Sequence, residues 1–237
     1  MIPKIIHYCW YGHNKKSKLI KKCINSWKVY FPDYKVIEWN ESNSNLNINQ
    51  YVKTAYFEKK WAFVSDYMRM KVLYDYGGIY FDTDVEVLKK FPERVLNNSC
   101  FTGIESFSQL VSPGLVFACE PHNKVVKELL DSYEKDKFEN ISIDRIKTIN
   151  IRITELLEKK GYVPKDKEQV VSGVHIYPSE VFCAYDGVNR VTKITPNTLS
   201  THHYSASWLP WYRKIRLNIG TFLRHVRMRY TRNRMKK

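Results

Sequence analysis

An α/β fold with a central mixed, mainly parallel sheet flanked by helices follows from three observations. Residues 2–39 alternate extended, helical and extended patterns, the signature of a β-α-β unit. A helix-period segment ends at Gly77-Gly78 and passes directly into an apolar strand. The composition is 43% hydrophobic, with 17 Tyr, 11 Phe and 6 Trp among 237 residues, enough to fill one sizeable core.

Taken in order, IPKIIHYCW (2–10) reads as the first strand, with Pro3 at its mouth where a missing N–H costs little. Residues 17–31 place Ile20, Cys23, Ile24, Trp27, Tyr30 and Phe31 on one helical face, with lysines opposite. Phe31-Pro32-Asp33 stops that helix, and YKVIEW (34–39) follows as a short strand. An Asn-rich connector (40–50) leads to a helical segment at 50–60. In the next helix, Trp61, Val64, Met68, Val72 and Tyr76 form the expected apolar stripe, and IYFDTDVEVL (79–88) reads as one strand. Signals weaken beyond: a strand at 101–103, a turn at Ser112-Pro113-Gly114 before LVFAC, and amphipathic helices at 122–135 and 144–160 closed by Gly161. Short β-rich runs at 170–177, 181–185 and 191–194 precede THHYSASW (201–208). Without repeats or a flexible linker, residues 1–209 read as one domain and 210–237 as an appended basic tail.

No run of about 18 apolar residues occurs, which argues against a spanning helix, and the N-terminus has neither a basic leader nor a small-residue cleavage site. Five scattered cysteines without a CxxC pair fit neither a disulfide framework nor a zinc cluster, and read as reduced apolar fillers of a cytoplasmic protein. The net charge of +15 is unevenly spread: 210–237 holds ten basic residues and no acidic one, so removing it leaves +5. The tail, not the body, is the cation.

The chemistry is concentrated at Asp82-Thr83-Asp84. In an extended chain, positions i and i+2 face the same way, so the two carboxylates can converge. They stand where ligands lie in open α/β sheets, beyond the carboxyl end of a strand. Two carboxylates without nearby Cys or His suit Mg2+ or Mn2+ rather than zinc, with phosphate oxygens of a substrate completing the shell. Ser65, Asp66 and Arg69 sit among core residues of the preceding helix, where Asp66 and Arg69 are neighbours at i, i+3. The plain alternative for that pair is an ordinary ion pair on the helix surface.

Three blocks of this sequence resemble the retaining family 32 glycosyltransferases that carry the sugar-binding D-x-D region. Relatives of that family include fungal outer-chain mannosyltransferases, bacterial capsule and surface-polysaccharide transferases, and the glucosylating domain of the large clostridial toxins. IPKIIHYCWYG (2–12) looks like the family's opening strand, WAFVSDYMRMKVLYDYGGIYFDTDVEVL (61–88) like its central signature, and THHYSASW like its closing motif. The resemblance implies a GT-A-like nucleotide-diphospho-sugar transferase. It implies that Trp10 stacks on the nucleotide base, with core packing as the alternative. Ser65, Asp66 and Arg69 would hold the donor sugar or its phosphates, and His7 and Tyr80 fall within the donor-binding blocks. Asp82 would take ribose and sugar hydroxyls or the metal; Asp84 would ligate Mn2+ or Mg2+ directly. One of His202 and His203 would meet the metal or diphosphate, and of the two His203 is favoured. Trp208 would cover the diphosphate or pack as a core residue.

The implied activity is metal-dependent, retaining hexosyl transfer from a nucleotide-sugar to a glycan or lipid-linked saccharide in surface polysaccharide synthesis. A UDP-sugar is the favoured donor, and GDP-mannose stays open. A haloacid-dehalogenase-type phosphatase also carries D-x-D after an apolar strand, but Val85-Glu86 stands where Gly-Thr is usual. A non-catalytic membrane-surface binding protein is the third reading. Residues 208–230 put Trp211, Ile215, Ile219, Phe222, Leu223, Val226 and Tyr230 on one stripe among Arg and Lys, as in an amphipathic helix on anionic lipid. That predicts a peripheral protein on the inner face of the membrane. Nucleic acid is not an expected partner, since no binding motif accompanies the charge.

Overall fold

The computed structural model describes residues 1–134, 147–186 and 191–205. By its contacts the chain divides into Met1–His203 and Tyr204–Lys237. The elements below belong to the first unit; the expected tail helix and Trp208 lie outside the described residues.

Strand β1 (Ile5–Cys9) pairs in parallel with β2 (Lys35–Trp39) on one side and β3 (Gly78–Tyr80) on the other. Between β1 and β2 runs α1 (Lys18–Tyr30), opened by Ser17, whose Oγ accepts the Ile20 amide at 3.3 Å. That bond satisfies one of the donors left unpaired at a helix start. The helix buries Ile20, Cys23 and Trp27 at the expected spacing. Asn49 plays the same capping part for α2 (Gln50–Phe57), accepting the Val52 amide at 2.8 Å.

Helix α3 (Trp61–Tyr76) departs from the five-position stripe predicted for it. It packs against β1, β3, α2 and α5 (Lys124–Glu134) and is buried on most sides, Asp66 and Arg69 included. A helix enclosed by sheet and helices needs no single apolar face. Gly77 ends it with φ 62°, and a Cβ on the following Gly78 would lie 2.7 Å from the Ile5 carbonyl oxygen. Only a residue without a side chain lets β3 approach β1 there.

The single strand expected over 79–88 is divided. β3 ends at Tyr80, and β4 (Val85–Val87) leaves the main sheet to pair antiparallel with β11 (Ser200–His202). Between them Asp82-Thr83-Asp84-Val85 turns, closed by the Val85 N–H on the Asp82 carbonyl at 3.0 Å. Helix α1 braces the other edge of β4: the Trp27 indole donates to the Val85 carbonyl at 2.8 Å. Ser26 Oγ accepts the Val87 amide at 2.9 Å. These side chains take the place of a neighbouring strand.

The main sheet has the order β2-β1-β3-β6-β5-β8-β7, with β5 at Cys100–Gly103, β6 at Phe117–Cys119, β7 at Gln169–Val171 and β8 at Val174–Tyr177. It is mixed as expected, but its described pairings are half parallel and half antiparallel rather than mainly parallel. β7 and β8 return on each other without a helical crossover, joined through Ser172-Gly173, both at positive φ. Short helices α4 (Glu93–Leu96) and α7 (Ser179–Phe182), each following a proline, were not foreseen. The latter takes the first two residues of the run expected as strand at 181–185, leaving β9 (Tyr185–Asp186) to pair with β10 (Val191–Thr192). Helix α6 (Ile149–Glu158) completes the layer beside α5. All five cysteines are buried and carry thiols rather than disulfides. No helix among the described residues is long and apolar enough to cross a membrane.

Candidate active site

Beyond the carboxyl ends of β1 and β3, a network of charged side chains is enclosed by α3, β4, β11 and the loop 111–115. Its centre is Arg69. The guanidinium meets Asp66 Oδ1 at 3.0 Å and Asp82 Oδ1 at 3.2 Å through one nitrogen, and Asp82 Oδ2 at 3.4 Å through another. Its Nε donates to the Ser65 carbonyl at 3.2 Å, and the Tyr80 ring lies under it at 4.9 Å. The predicted i, i+3 pair exists, but it is buried and reaches across to the D-x-D turn, so the surface-pair alternative does not hold. Burial opposes the charge on Arg69, and Asp82, Tyr80 and Asp66 outweigh it, raising the pKa.

Asp66 does two jobs. Besides pairing with Arg69, its Oδ2 accepts the Ile149 amide at 3.2 Å at the start of α6. Thr148 offers that helix no side-chain cap, so the carboxylate of α3 supplies it from a distance in sequence. Burial pushes the Asp66 carboxyl up, against the pull of Arg69 and the Ile149 amide.

Asp82 and Asp84 do converge, but through the turn rather than the alternation of a strand. The group they meet is His202, whose Nε2 lies 3.1 Å from Asp84 Oδ1 and 3.8 Å from Asp82 Oδ2. Burial alone would lower the imidazolium pKa; the charges of Asp84 and Asp82 overcome it and push it up to about 10. His202, rather than the favoured His203, is thus the neighbour of the two aspartates. His203, the residue after β11, turns to Glu86 at 2.9 Å, which Lys22 also meets at 2.7 Å. His203 keeps a backbone link to the turn, its N–H donating to the Asp84 carbonyl at 3.0 Å.

Two other expected donor contacts are structural. His7 has no exposed surface, and both ring nitrogens are engaged: Nε2 with the Gly77 carbonyl at 2.8 Å, Nδ1 with the Trp39 indole N–H at 3.0 Å. Burial lowers its pKa to about 4, so it is neutral. Tyr80 is enclosed as well, and its hydroxyl donates to Asp82 Oδ1 at 3.1 Å, which makes it a support for that carboxylate. Ser65 is half-buried beside them. Trp10 lies outside the buried core. Its indole N–H donates to the Asn14 carbonyl at 2.7 Å, and the Lys16 ammonium sits 5.3 Å over the ring.

Gly114 was read only as part of a turn. Its carbonyl accepts the Asp82 amide at 3.0 Å, and a Cβ there would fall 2.2 Å from Asp82 Oδ2 and 3.2 Å from Arg69 Nη1. The loop is tied to α6, with Asn150 bonded to Ser112 Oγ at 3.1 Å and Thr154 Oγ1 accepting the Val111 amide at 3.0 Å. Gly in a Ser-Pro-Gly turn is ordinary, so no local signal marks the contact.

Residues 17–102 match the family described as a glycosyltransferase sugar-binding region containing the DXD motif. Over those residues the chain is similar to the sugar-binding DXD region, in keeping with the resemblance of its central block. Over 173 residues it is 23% identical to the subversion of eukaryotic traffic protein A of Legionella pneumophila, covering 58% of this chain and 27% of that protein. Over 98 residues it is 31% identical to inositol phosphoceramide mannosyltransferase 3 of Schizosaccharomyces pombe, covering 35% and 24%. The chain thus spans about a quarter of the length of these curated relatives. Its fold is that of the solved PaToxG glycosyltransferase, with a TM-score of 0.51 at 21% identity over 68% of this chain and 69% of that one. The GT-A-like expectation is met. The DXD region spans α1 to β5, so the helix that braces β4 and the turn it braces belong to one matched unit.

Among the described residues no three His, Cys, Asp or Glu side chains form a ready metal shell. Two carboxylates nevertheless converge at the DXD turn, with His202 as their ion-pair partner, and carboxylate oxygens are the donors that Mn2+ or Mg2+ takes.

Proposed function

We propose that the chain is a cation-dependent glycosyltransferase that moves a hexosyl unit from a nucleotide-sugar to a glycan or lipid-linked saccharide, with retention at the anomeric carbon. The supporting observation is the convergence of Asp82, Asp84 and His202 beside the buried Arg69 in a DXD region. Asp82 and Asp84 would hold Mn2+ or Mg2+, joined by His202 once the cation displaces its proton, and the bound cation supplies Lewis-acid stabilisation of a diphosphate leaving group.

The chain's own residues prepare that site. Arg69 and Tyr80 fix the Asp82 carboxylate, so its geometry is set before the donor arrives. Asp66 holds Arg69 in place and anchors α6 beside it. Trp10, at the carboxyl end of β1, offers a partly exposed indole for the base, an interaction worth about 1–3 kcal/mol. Ser65, one turn before Arg69, is placed for a polar contact with the donor. Retention is read here as attack on the same face as departure, and no carboxylate is assigned as a nucleophile.

A UDP-sugar is the favoured donor, with GDP-mannose as the other choice. The basic segment 210–237 would bring the enzyme to an anionic membrane surface, the inner face in this reading. Incubating the full chain with a panel of UDP- and GDP-sugars, with Mn2+ and with chelator, tests the central claim. Cation-dependent release of nucleotide from at least one donor is expected, with the α or β form of the product read by NMR. Silence across the panel overturns the reading. Sedimentation with neutral and phosphatidylserine vesicles tests the tail separately, and equal binding to both removes the electrostatic part.

A further inference from the structure

A cavity of about 1050 Å³ lies apart from the DXD turn, lined by the β1–α1 loop, α2 and the first residue of α3. Its volume is at the upper end of small-ligand pockets, roughly 300–1,000 Å³. The walls combine three kinds of group. Tyr56, Phe57 and Trp61 are aromatic, and Asn14, Asn47 and Gln50 bring amides. The ionisable residues on its wall are His13, Lys53 and Lys59, with no Asp or Glu among them. Glu41 approaches from behind, at 3.7 Å from the His13 ring.

Tyr56 and Trp61 pack against the core, but Phe57 and the two lysines have no evident part in holding the fold. Phe57 stands 86% exposed at the end of α2, an unfavourable place for a phenyl ring. Lys53 and Lys59 are exposed and make no ion pair among the described residues. Lys59 also adopts φ 57° in the turn that aims it, a conformation rare for a residue with a side chain. Trp61 is packed edge-on by Tyr56 at 5.2 Å, and a Cβ on Gly12 would strike its indole at 2.7 Å. Close approach of the Gly12 backbone is therefore part of how the cavity is shaped.

Aromatic faces take the apolar C–H faces of sugar rings, and amides pair with their hydroxyls. Unpaired lysines select for negative charge. We infer that this cavity binds an anionic saccharide, and that it is the subsite for the acceptor. The charge could come from a uronic carboxylate or from a sugar phosphate; the lysines recognise what the two share. Position agrees with an acceptor: the Trp10 indole is bonded to Asn14 on the cavity rim, and Trp61 begins the helix that carries Asp66 and Arg69. The role as acceptor subsite rests on the transferase reading above; binding of the anionic sugar does not.

The test is titration calorimetry on the full chain with three probes: a hyaluronan hexasaccharide, a glucose-6-phosphate-capped oligosaccharide and neutral chitohexaose. At least one charged probe should bind roughly tenfold or more tighter than the neutral one. The two charged arms tell carboxylate from phosphate. In Lys53→Glu/Lys59→Glu that preference should disappear, and Phe57→Ala should weaken charged and neutral probes alike. UDP affinity and donor hydrolysis without acceptor should stay at wild-type values in the double variant. Equal binding of charged and neutral probes overturns the inference, as does charge preference that survives the double substitution. A matching loss of UDP affinity would assign the cavity to the donor and also overturn it. Because donor hydrolysis by the wild type is read in the same series, failure of the transferase proposal shows up separately.

Discussion

Arg69 keeps a full charge with only 6% of its side chain exposed, and Asp66 and Asp82 make that tolerable. Removing one partner of a buried ion pair typically costs about 3–5 kcal/mol, because the other charge is left uncompensated. Asp66→Ala should fall in that range, since it also strips the amide of Ile149 of its acceptor; urea unfolding measures it, and a loss near zero would refute the structural role. Asp84 stands differently. Its substitution by Asn keeps shape and a hydrogen bond to His202, so the fold should survive with a melting temperature shifted by only a few degrees. Cation-dependent turnover should nevertheless vanish, and wild-type rates in Asp84→Asn would remove the DXD turn from the chemistry. Gly114→Ala probes the same carboxylates from the other side. The added carbon must displace Asp82, a strain of about 1–3 kcal/mol, or roughly 5–150-fold in rate where it falls on the transition state. The loss should appear in kcat while UDP affinity changes little, because Trp10 is untouched; an unchanged kcat is the result that counts against it.

Helix α1 shows how an element remote from the chemistry fixes it. Its Trp27 and Ser26 hold β4 by the backbone, and β4 holds the turn that carries both aspartates. Trp27→Phe keeps the ring packing on Phe81 but deletes the bond to Val85, leaving a buried carbonyl short of its donor. A stability loss of about 1–3 kcal/mol is expected, with turnover reduced more than nucleotide affinity. Equal activity at reduced stability would mean that β4 is held in place by β11 alone. The same elements mark what could be read in the sequence. α1, α3, β1 and β2 were legible because the helical period, the Phe31-Pro32-Asp33 stop and the Gly77-Gly78 stop agreed with the extended runs beside them. The break after Tyr80 was not, since a D-x-D on a tight turn and one on a strand share the same letters. His202 and His203 were separable only as alternating neighbours, and which one faces the carboxylates depends on pairing with β4, more than a hundred residues away. Gly114 was hidden for a related reason: its partner is Asp82, and nothing local announces a contact of that range.

At the scale of the whole molecule, β1 joins the two halves of the argument, because one residue on it couples the sheet to the helix that carries Arg69. His7 donates from Nε2 to the carbonyl of Gly77 at the end of α3 and accepts from the Trp39 indole at the end of β2. Those partners require the neutral ring with its proton on Nε2; a second proton on Nδ1 would face the Trp39 N–H. The folded pKa of about 4 lies below the ordinary 6.5, chiefly through burial. The unfolded chain therefore binds the proton more readily, and stability must fall as pH drops from about 6.5 towards 4. Above 6.5 the contribution is complete; across the window it amounts to about 3 kcal/mol, at 1.36 kcal/mol for each pH unit. Replacing His7 by Gln, which can both donate and accept but does not titrate, should lower stability at pH 7 and flatten its dependence between pH 4 and 6.5. Chemical denaturation of the two proteins across that range decides the matter: parallel curves would show that other groups, not His7, carry the acid sensitivity of the fold.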